Sequence, residues 1–233
     1  MAAPRALLFD VFGTLVDWRS GLLTACAEVT ARSGAAADWA AVVDDWRRAY
    51  RPALDAVRAD GAWRDLDAVQ RDTLADVLAR HGVDLPADDR EVLVRSWRRL
   101  PAWPDAPAGL DRLRANAVLA TLSNGHVALL VDLLRFAGLR MDTVLSAELA
   151  GSYKPDPVVY RRGVELLGLR PDEVGMVAAH PDDLEAAAGV GLRPLFVARP
   201  REWGPGTEVA PPADLPGLVV AHDLEDLADQ LEG

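Results

Sequence analysis

Ala6-Leu7-Leu8-Phe9-Asp10-Val11-Phe12-Gly13-Thr14-Leu15 decides how this chain folds. An apolar run leads into a lone acid and then a glycine turn. Such a run predicts a buried strand, which leaves Asp10 standing where the strand ends. Similar runs recur at 118–122, 143–145, 174–178 and 194–198, and helical periodicity fills 127–137, 158–167 and 182–190 between the last four. Short strands alternating with helices predict βαβ units and a mostly parallel, doubly wound sheet covered on both faces.

Residues from about 18 to 100 break that alternation and read as helices throughout. Trp39, Val43, Trp46, Tyr50, Leu54 and Val57 recur at spacings of three and four, one apolar face of a long helix. Residues 68–81 and 89–100 predict two more helices, with Gly82 as a stop and Asp88 or Asp89 as N-cap. Pro101, Pro104 and Pro107 then mark the return to alternating strands and helices. The expected organisation is an α/β, Rossmann-like core (1–15 and 101–233) with a helical cap (16–100) inserted after the first strand. Trp18, Trp39, Trp46, Trp63 and Trp97 all fall in the cap, where they are expected to form its core or a dimer contact.

The chain has 233 residues, enough for a full core, and its composition (50% hydrophobic, 26% charged) is that of a soluble globular protein. No apolar run approaches the ~20 residues needed to span a bilayer, and the first apolar run is too short for a signal peptide. Cys26 is the single cysteine, so no internal disulfide forms, which fits a reducing cytoplasm. A net charge of −11 disfavours nucleic acid and anionic membranes as partners. It also means that a small anionic substrate needs a local cationic pocket. Gly189-Val190-Gly191 lacks the spacing of a dinucleotide loop, and His81, His126 and His222 show no metal-ligand spacing.

Polar groups follow the other predicted strands as well: Ser123-Asn124-Gly125, then Lys154-Pro155, then His180-Pro181-Asp182-Asp183. In open parallel sheets ligands bind outside the carboxyl ends of the strands, so these groups converge with Asp10 on one candidate site. The order FDxxGT, SN, KP and an Asp-containing turn resembles the haloacid dehalogenase superfamily over essentially the whole chain. Trp46-Arg47, Leu122-Ser123-Asn124-Gly125, Tyr153-Lys154-Pro155 with Tyr160, and Ala179-His180-x-Asp182-Asp183 resemble its type II, 2-haloacid dehalogenase branch.

That resemblance implies Asp10 as the nucleophile, oriented with the substrate by Thr14, Ser123 and Lys154, and Asp183 as the acid that prepares the hydrolytic water. It implies that Arg47 and Asn124 serve the halide end, with Tyr160 beside the site, no metal or organic cofactor, a 2-haloacid substrate and homodimerisation. Arg48 competes with Arg47 for its role, and Asp182 is the neighbour of Asp183. Superfamily phosphatases carry a second Asp where this chain has Phe12. A phenylalanine cannot donate a proton to a leaving alcohol, and a halide needs none, so Phe12 favours attack on carbon. The turn departs from the best-known members at Ala178, Ala179 and His180, and His180 stands either as a hydrogen-bonding substitute or as a base. The rival readings are an Asp-nucleophile hydrolase acting on another electrophilic carbon, such as a strained-ring amino acid, a small-molecule phosphatase, and a non-catalytic descendant.

Overall fold

The computed structural model describes residues 3–232. The opening strand, β1 (Ala6–Phe9), is fully buried and has a strand on each side. It pairs in parallel with β2 (Val118–Ser123) and with β4 (Val174–Ala178), so that Phe9 lies opposite both Thr121 and Val177. With β3 (Thr143–Ser146), β5 (Arg193–Val197) and β6 (Val219–Ala221), the order is β3-β2-β1-β4-β5-β6, parallel throughout. β1 is therefore the strand from which the chain first crosses to one side and later returns on the other. Asp10, Asn124 and His180 follow three adjacent strands at the edge where such sheets hold ligands.

The sheet is flanked by α5 (Ala106–Leu113), α6 (Val127–Ala137), α7 (Pro157–Leu166), α8 (Pro181–Ala188) and α9 (Leu224–Glu232). β6 escaped the sequence pattern. It is three residues long, with Val220 exposed, too little for a period to register.

Between β1 and α5 lie α1 (Trp18–Ser33), α2 (Trp39–Asp60), α3 (Leu66–Arg80) and α4 (Ala87–Ser96). The Asp38 carboxylate caps α2 by accepting the Ala41 N–H, and Gly61 ends it in the left-handed conformation. The face expected from the spacing is the face that packs: Val43, Trp46, Tyr50 and Leu54 are buried. α2 lies against α3, and α1 against α4. The expected Asp88 or Asp89 N-cap is corrected, because Pro86 holds that place. Both acids lie in the first turn of α4, and Asp89 is buried in an ion pair with Arg32 of α1. An acid that neutralises a neighbouring helix is no longer available to cap its own.

Aromatic rings seat this helical insert on the sheet edge. Phe12 meets Trp97 edge to face at 5.5 Å, and Trp97 meets Trp46 at 5.5 Å. Such pairs contribute ~0.5–1.5 kcal/mol each beyond the area they bury. Trp63 stacks on Tyr153 at 4.6 Å, and the Tyr153 hydroxyl donates to the Arg64 carbonyl at 2.6 Å. Trp18, Trp46 and Trp97 are fully buried, as their place in the insert suggested.

Candidate active site

A cavity of about 200 Å³ lies between α2 and the carboxyl edge of β1, β2 and β4. Asp10 lines it, and three donors converge on its carboxylate. Lys154 Nζ donates to Oδ1 at 2.9 Å, while Thr14 Oγ1 and His180 Nδ1 lie 2.9 and 3.1 Å from Oδ2. Burial alone would raise this carboxyl, but Lys154, with His180, overrides it and holds Asp10 far below the ordinary carboxylate range. Thr14 also accepts the Ala179 N–H at 3.0 Å, tying the turn after β4 to the nucleophile candidate from behind the cavity.

Lys154 is shared. Its second partner is Asp183, at 2.5 Å, whose other oxygen accepts the Tyr160 hydroxyl at 2.5 Å. Burial opposes the ammonium charge, yet Asp10 and Asp183 outweigh it and raise Lys154. Asp183 itself is raised, by burial first and by the nearby Asp10 charge against the pull of Lys154. Asp182 also lines the cavity but pairs with Arg51 of α2 at 2.6 Å, across the insert and the core. Of the two adjacent acids, only Asp183 reaches Lys154.

His180 bridges two carboxylates. Its Nδ1 faces Asp10, and its Nε2 lies 3.0 Å from Oε1 of Glu202. Burial disfavours the imidazolium, but Glu202 and Asp10 push the pKa up to about 10. The two carboxylates thus favour the doubly protonated ring, with each nitrogen facing an acceptor. Its two hydrogen-bonded carboxylates match the reading of His180 as a hydrogen-bonding substitute, and a role as base requires the ring to lose one of those protons first.

Glu202 and its neighbour Trp203 went unnoticed in the sequence. Glu202 is buried in the segment after β5. Its Oε1 accepts the Trp18 indole N–H at 2.9 Å as well as the His180 proton. Gly13, at φ +92°, makes room for it. A Cβ built there would lie 2.2 Å from Glu202 Oε1. The signal was available: the segment follows a predicted strand at the ligand-binding edge. Tyr50, read only as part of an apolar face, lines the cavity too.

Arg47 and Arg48 separate by burial, with side chains 9% and 62% exposed. Arg47 lies over the Tyr50 and Trp18 rings at 4.7 and 5.4 Å and within 4.0 Å of Glu202. Its Nη1 has no hydrogen-bond partner among the described residues. Arg48 pairs with Asp45 on the helix surface and reaches the cavity rim beside Trp203.

Phe12, Tyr160 and Asn124 also line the cavity. The Asn124 side chain accepts the Lys154 N–H at 2.7 Å, which fixes the lysine's backbone. Ser123 is buried outside the lining, and its hydroxyl accepts the Gly125 N–H at 3.2 Å. Lys154, His180 and Arg47 thus interleave with the carboxylates of Asp10, Asp183 and Glu202, and the Arg51–Asp182 pair lines the same cavity. Among the described residues no group of three or more His, Cys, Asp or Glu is arranged to hold a metal ion.

Residues 4–191 match the family model described as haloacid dehalogenase-like hydrolase. A crystal structure of an L-2-haloacid dehalogenase superposes with TM-score 0.92 at 44% identity, covering 98% of this chain and 99% of that one. A defluorinating L-2-haloacid dehalogenase gives 0.94 at 38% identity, over 100% and 99%. The L-2-haloacid dehalogenase of Xanthobacter autotrophicus, solved with chloropropionic acid covalently bound, gives 0.84 at 26%, over 100% and 99%.

Proposed function

We propose that this chain, which belongs to the haloacid dehalogenase-like hydrolase family, hydrolyses short 2-haloalkanoic acids to 2-hydroxy acids through an ester on Asp10. The observation that carries this reading is a buried, ionised carboxylate held by Lys154, Thr14 and His180, with Phe12 in the cavity wall two residues later. Asp10 Oδ1 accepts one hydrogen bond and Oδ2 two, so Oδ1 is the freer nucleophile. It attacks C2 opposite the halogen, which inverts that carbon and expels halide without a proton donor. Arg47 supplies the local cation that an anionic substrate needs in a chain of net charge −11. Its planar, weakly hydrated guanidinium suits a halide or a carboxylate in a tight space.

Water then adds to the Asp10 carbonyl carbon and frees the hydroxy acid. Asp183 and Tyr160 hold Lys154 against the ester, and Asn124 fixes the lysine's backbone. In the same reading, α1–α4 form a cap over a core of residues 1–15 and 101–233. The enzyme works as a cytoplasmic homodimer without metal or organic cofactor. Among the described residues no helix is long and apolar enough to cross a membrane.

One turnover with excess enzyme in ¹⁸O-water and 2-chloropropionate tests the chemistry. Label is expected first in the peptide containing Asp10, with unlabelled lactate formed in that turnover. Label in lactate and none in that peptide would exclude the ester.

A further inference from the structure

We infer that His180 is the proton store of the reaction: loss of the Asp10 charge on ester formation releases the His180 proton to solvent, and the neutral ring, held by Glu202, then takes a proton from the attacking water. This rests on the ester reading above and assigns Glu202 a positioning role.

The geometry singles out one base. Lys154 and His180 each lie between Asp10 and a second carboxylate, Asp183 for the lysine and Glu202 for the histidine. Ester formation removes the Asp10 charge from both. An ammonium, ordinarily near ~10.4, stays charged with one carboxylate beside it. An imidazolium, ordinarily near ~6.5, loses with the Asp10 charge one of the two carboxylates that offset its burial, and so is the cation that ester formation brings down toward neutrality. Of the other charged groups lining the cavity, Arg47, Arg48, Arg51 and Lys154 disfavour the imidazolium, while Asp182 and Asp183 favour it but are each paired with a cation, Arg51 and Lys154.

Solvent access points to the same ring. The His180 side chain is 23% exposed, against 7% for Lys154, 8% for Asp183 and 10% for Asp10, so a proton can leave through the cavity. Asp183 is the alternative base, but each of its oxygens already accepts a 2.5 Å hydrogen bond. Glu202 keeps its place when Asp10 is alkylated, because Trp18 holds the same oxygen.

The steps balance. The Asp10 carboxylate and R–X give the Asp10–O–R ester and X⁻. Protonated His180 gives neutral His180 and a solvent proton. The ester, water and neutral His180 then give the Asp10 carboxylate, R–OH and protonated His180. The sum is R–X plus water to R–OH, X⁻ and one proton, and that proton leaves in the first half of the reaction.

Stopped-flow mixing of excess enzyme with 2-chloropropionate, in weak buffer with a pH indicator, reads the order of events. About one proton per chloride is expected at the rate of chloride release, ahead of lactate in parallel quenched samples. Chloride first, with the proton appearing alongside lactate, would overturn the proposal and leave the ester reading intact. No chloride at all would overturn the ester reading itself.

His180→Gln, whose amide can still donate to Asp10, is expected to slow ester hydrolysis by ~10²–10⁴-fold, the usual contribution of a general base, and the chloride burst by much less. Glu202→Gln keeps the volume and is expected to move the pH limb of ester hydrolysis downward. An unmoved limb would remove Glu202 from the proposal. Should either variant fail to fold, ¹⁵N-histidine spectra of the wild type decide: charged His180 in the free enzyme and neutral His180 in the accumulated ester are required.

Discussion

Gly13→Ala tests how tightly Glu202 is held. Gly13 has φ +92°, where an L-residue costs ~1–2 kcal/mol. The new Cβ would stand 2.2 Å from Glu202 Oε1 and 2.6 Å from its Cδ, far inside contact distance, so the buried carboxylate must move. Moving it breaks the hydrogen bonds from Trp18 and His180, and bonds to a charged group each contribute ~1.5–3 kcal/mol. The expected loss is ~4–8 kcal/mol, comparable with the whole stability of many domains at ~5–15 kcal/mol. Urea unfolding followed by tryptophan fluorescence measures it. Adding Glu202→Ala removes the two shortest contacts and leaves only His180 Nε2 at 3.1 Å, so Gly13→Ala on that background should cost little beyond the ~1–2 kcal/mol of backbone strain. If Gly13→Ala alone shifts stability by less than ~1 kcal/mol, Glu202 does not sit against Gly13 and the reasoning fails.

Arg47→Lys is expected to lower kcat/KM for 2-chloropropionate by ~10²-fold or more, because an ammonium loses the planar contact with Tyr50 and Trp18, whereas Arg48→Lys should stay within ~2-fold; steady-state chloride release separates them. Thr14→Val keeps the shape but removes a bond to Asp10 and orphans the buried Ala179 N–H. A loss of ~2–5 kcal/mol is expected by denaturant titration. Between the unfolded histidine value near ~6.5 and the folded value of about 10, the native state binds the extra His180 proton, so its stabilisation is complete below ~6.5 and is lost as pH rises through about 10. Thermal melting should therefore fall from pH 7 to 10, with a shallower fall in His180→Gln.

The parts of the fold that were legible in the sequence obey a period. β1 is apolar without a break because its side chains are buried on both faces of the sheet, and α2 shows its buried face at spacings of three and four. Asp10, Lys154 and His180 were legible because each follows such an element at the ligand-binding edge. Which partners two adjacent residues take was not: Arg47 and Arg48, like Asp182 and Asp183, differ only by the rotation of a helix, and tertiary contact separates them. Glu202 was missed because residues 199–218 have neither strand nor helix periodicity. Its significance appears only when Trp18 and His180, distant in the chain, close on it. The protonation of His180 was hidden for the same reason, since it depends on a partner that no local pattern announces.

The Phe12–Trp97–Trp46 stack bears on how such a chain changes its chemistry over evolutionary time. The side chain that distinguishes this site from a phosphatase is also a rivet between sheet and insert. Exchanging it for an acid would bury a carboxylate against an indole and loosen the roof of the cavity in one stroke. A passage from carbon to phosphorus thus demands a rebuilt Trp97 environment before, or together with, the new acid. Activities that look one codon apart therefore differ by a packing rearrangement as well as by a side chain.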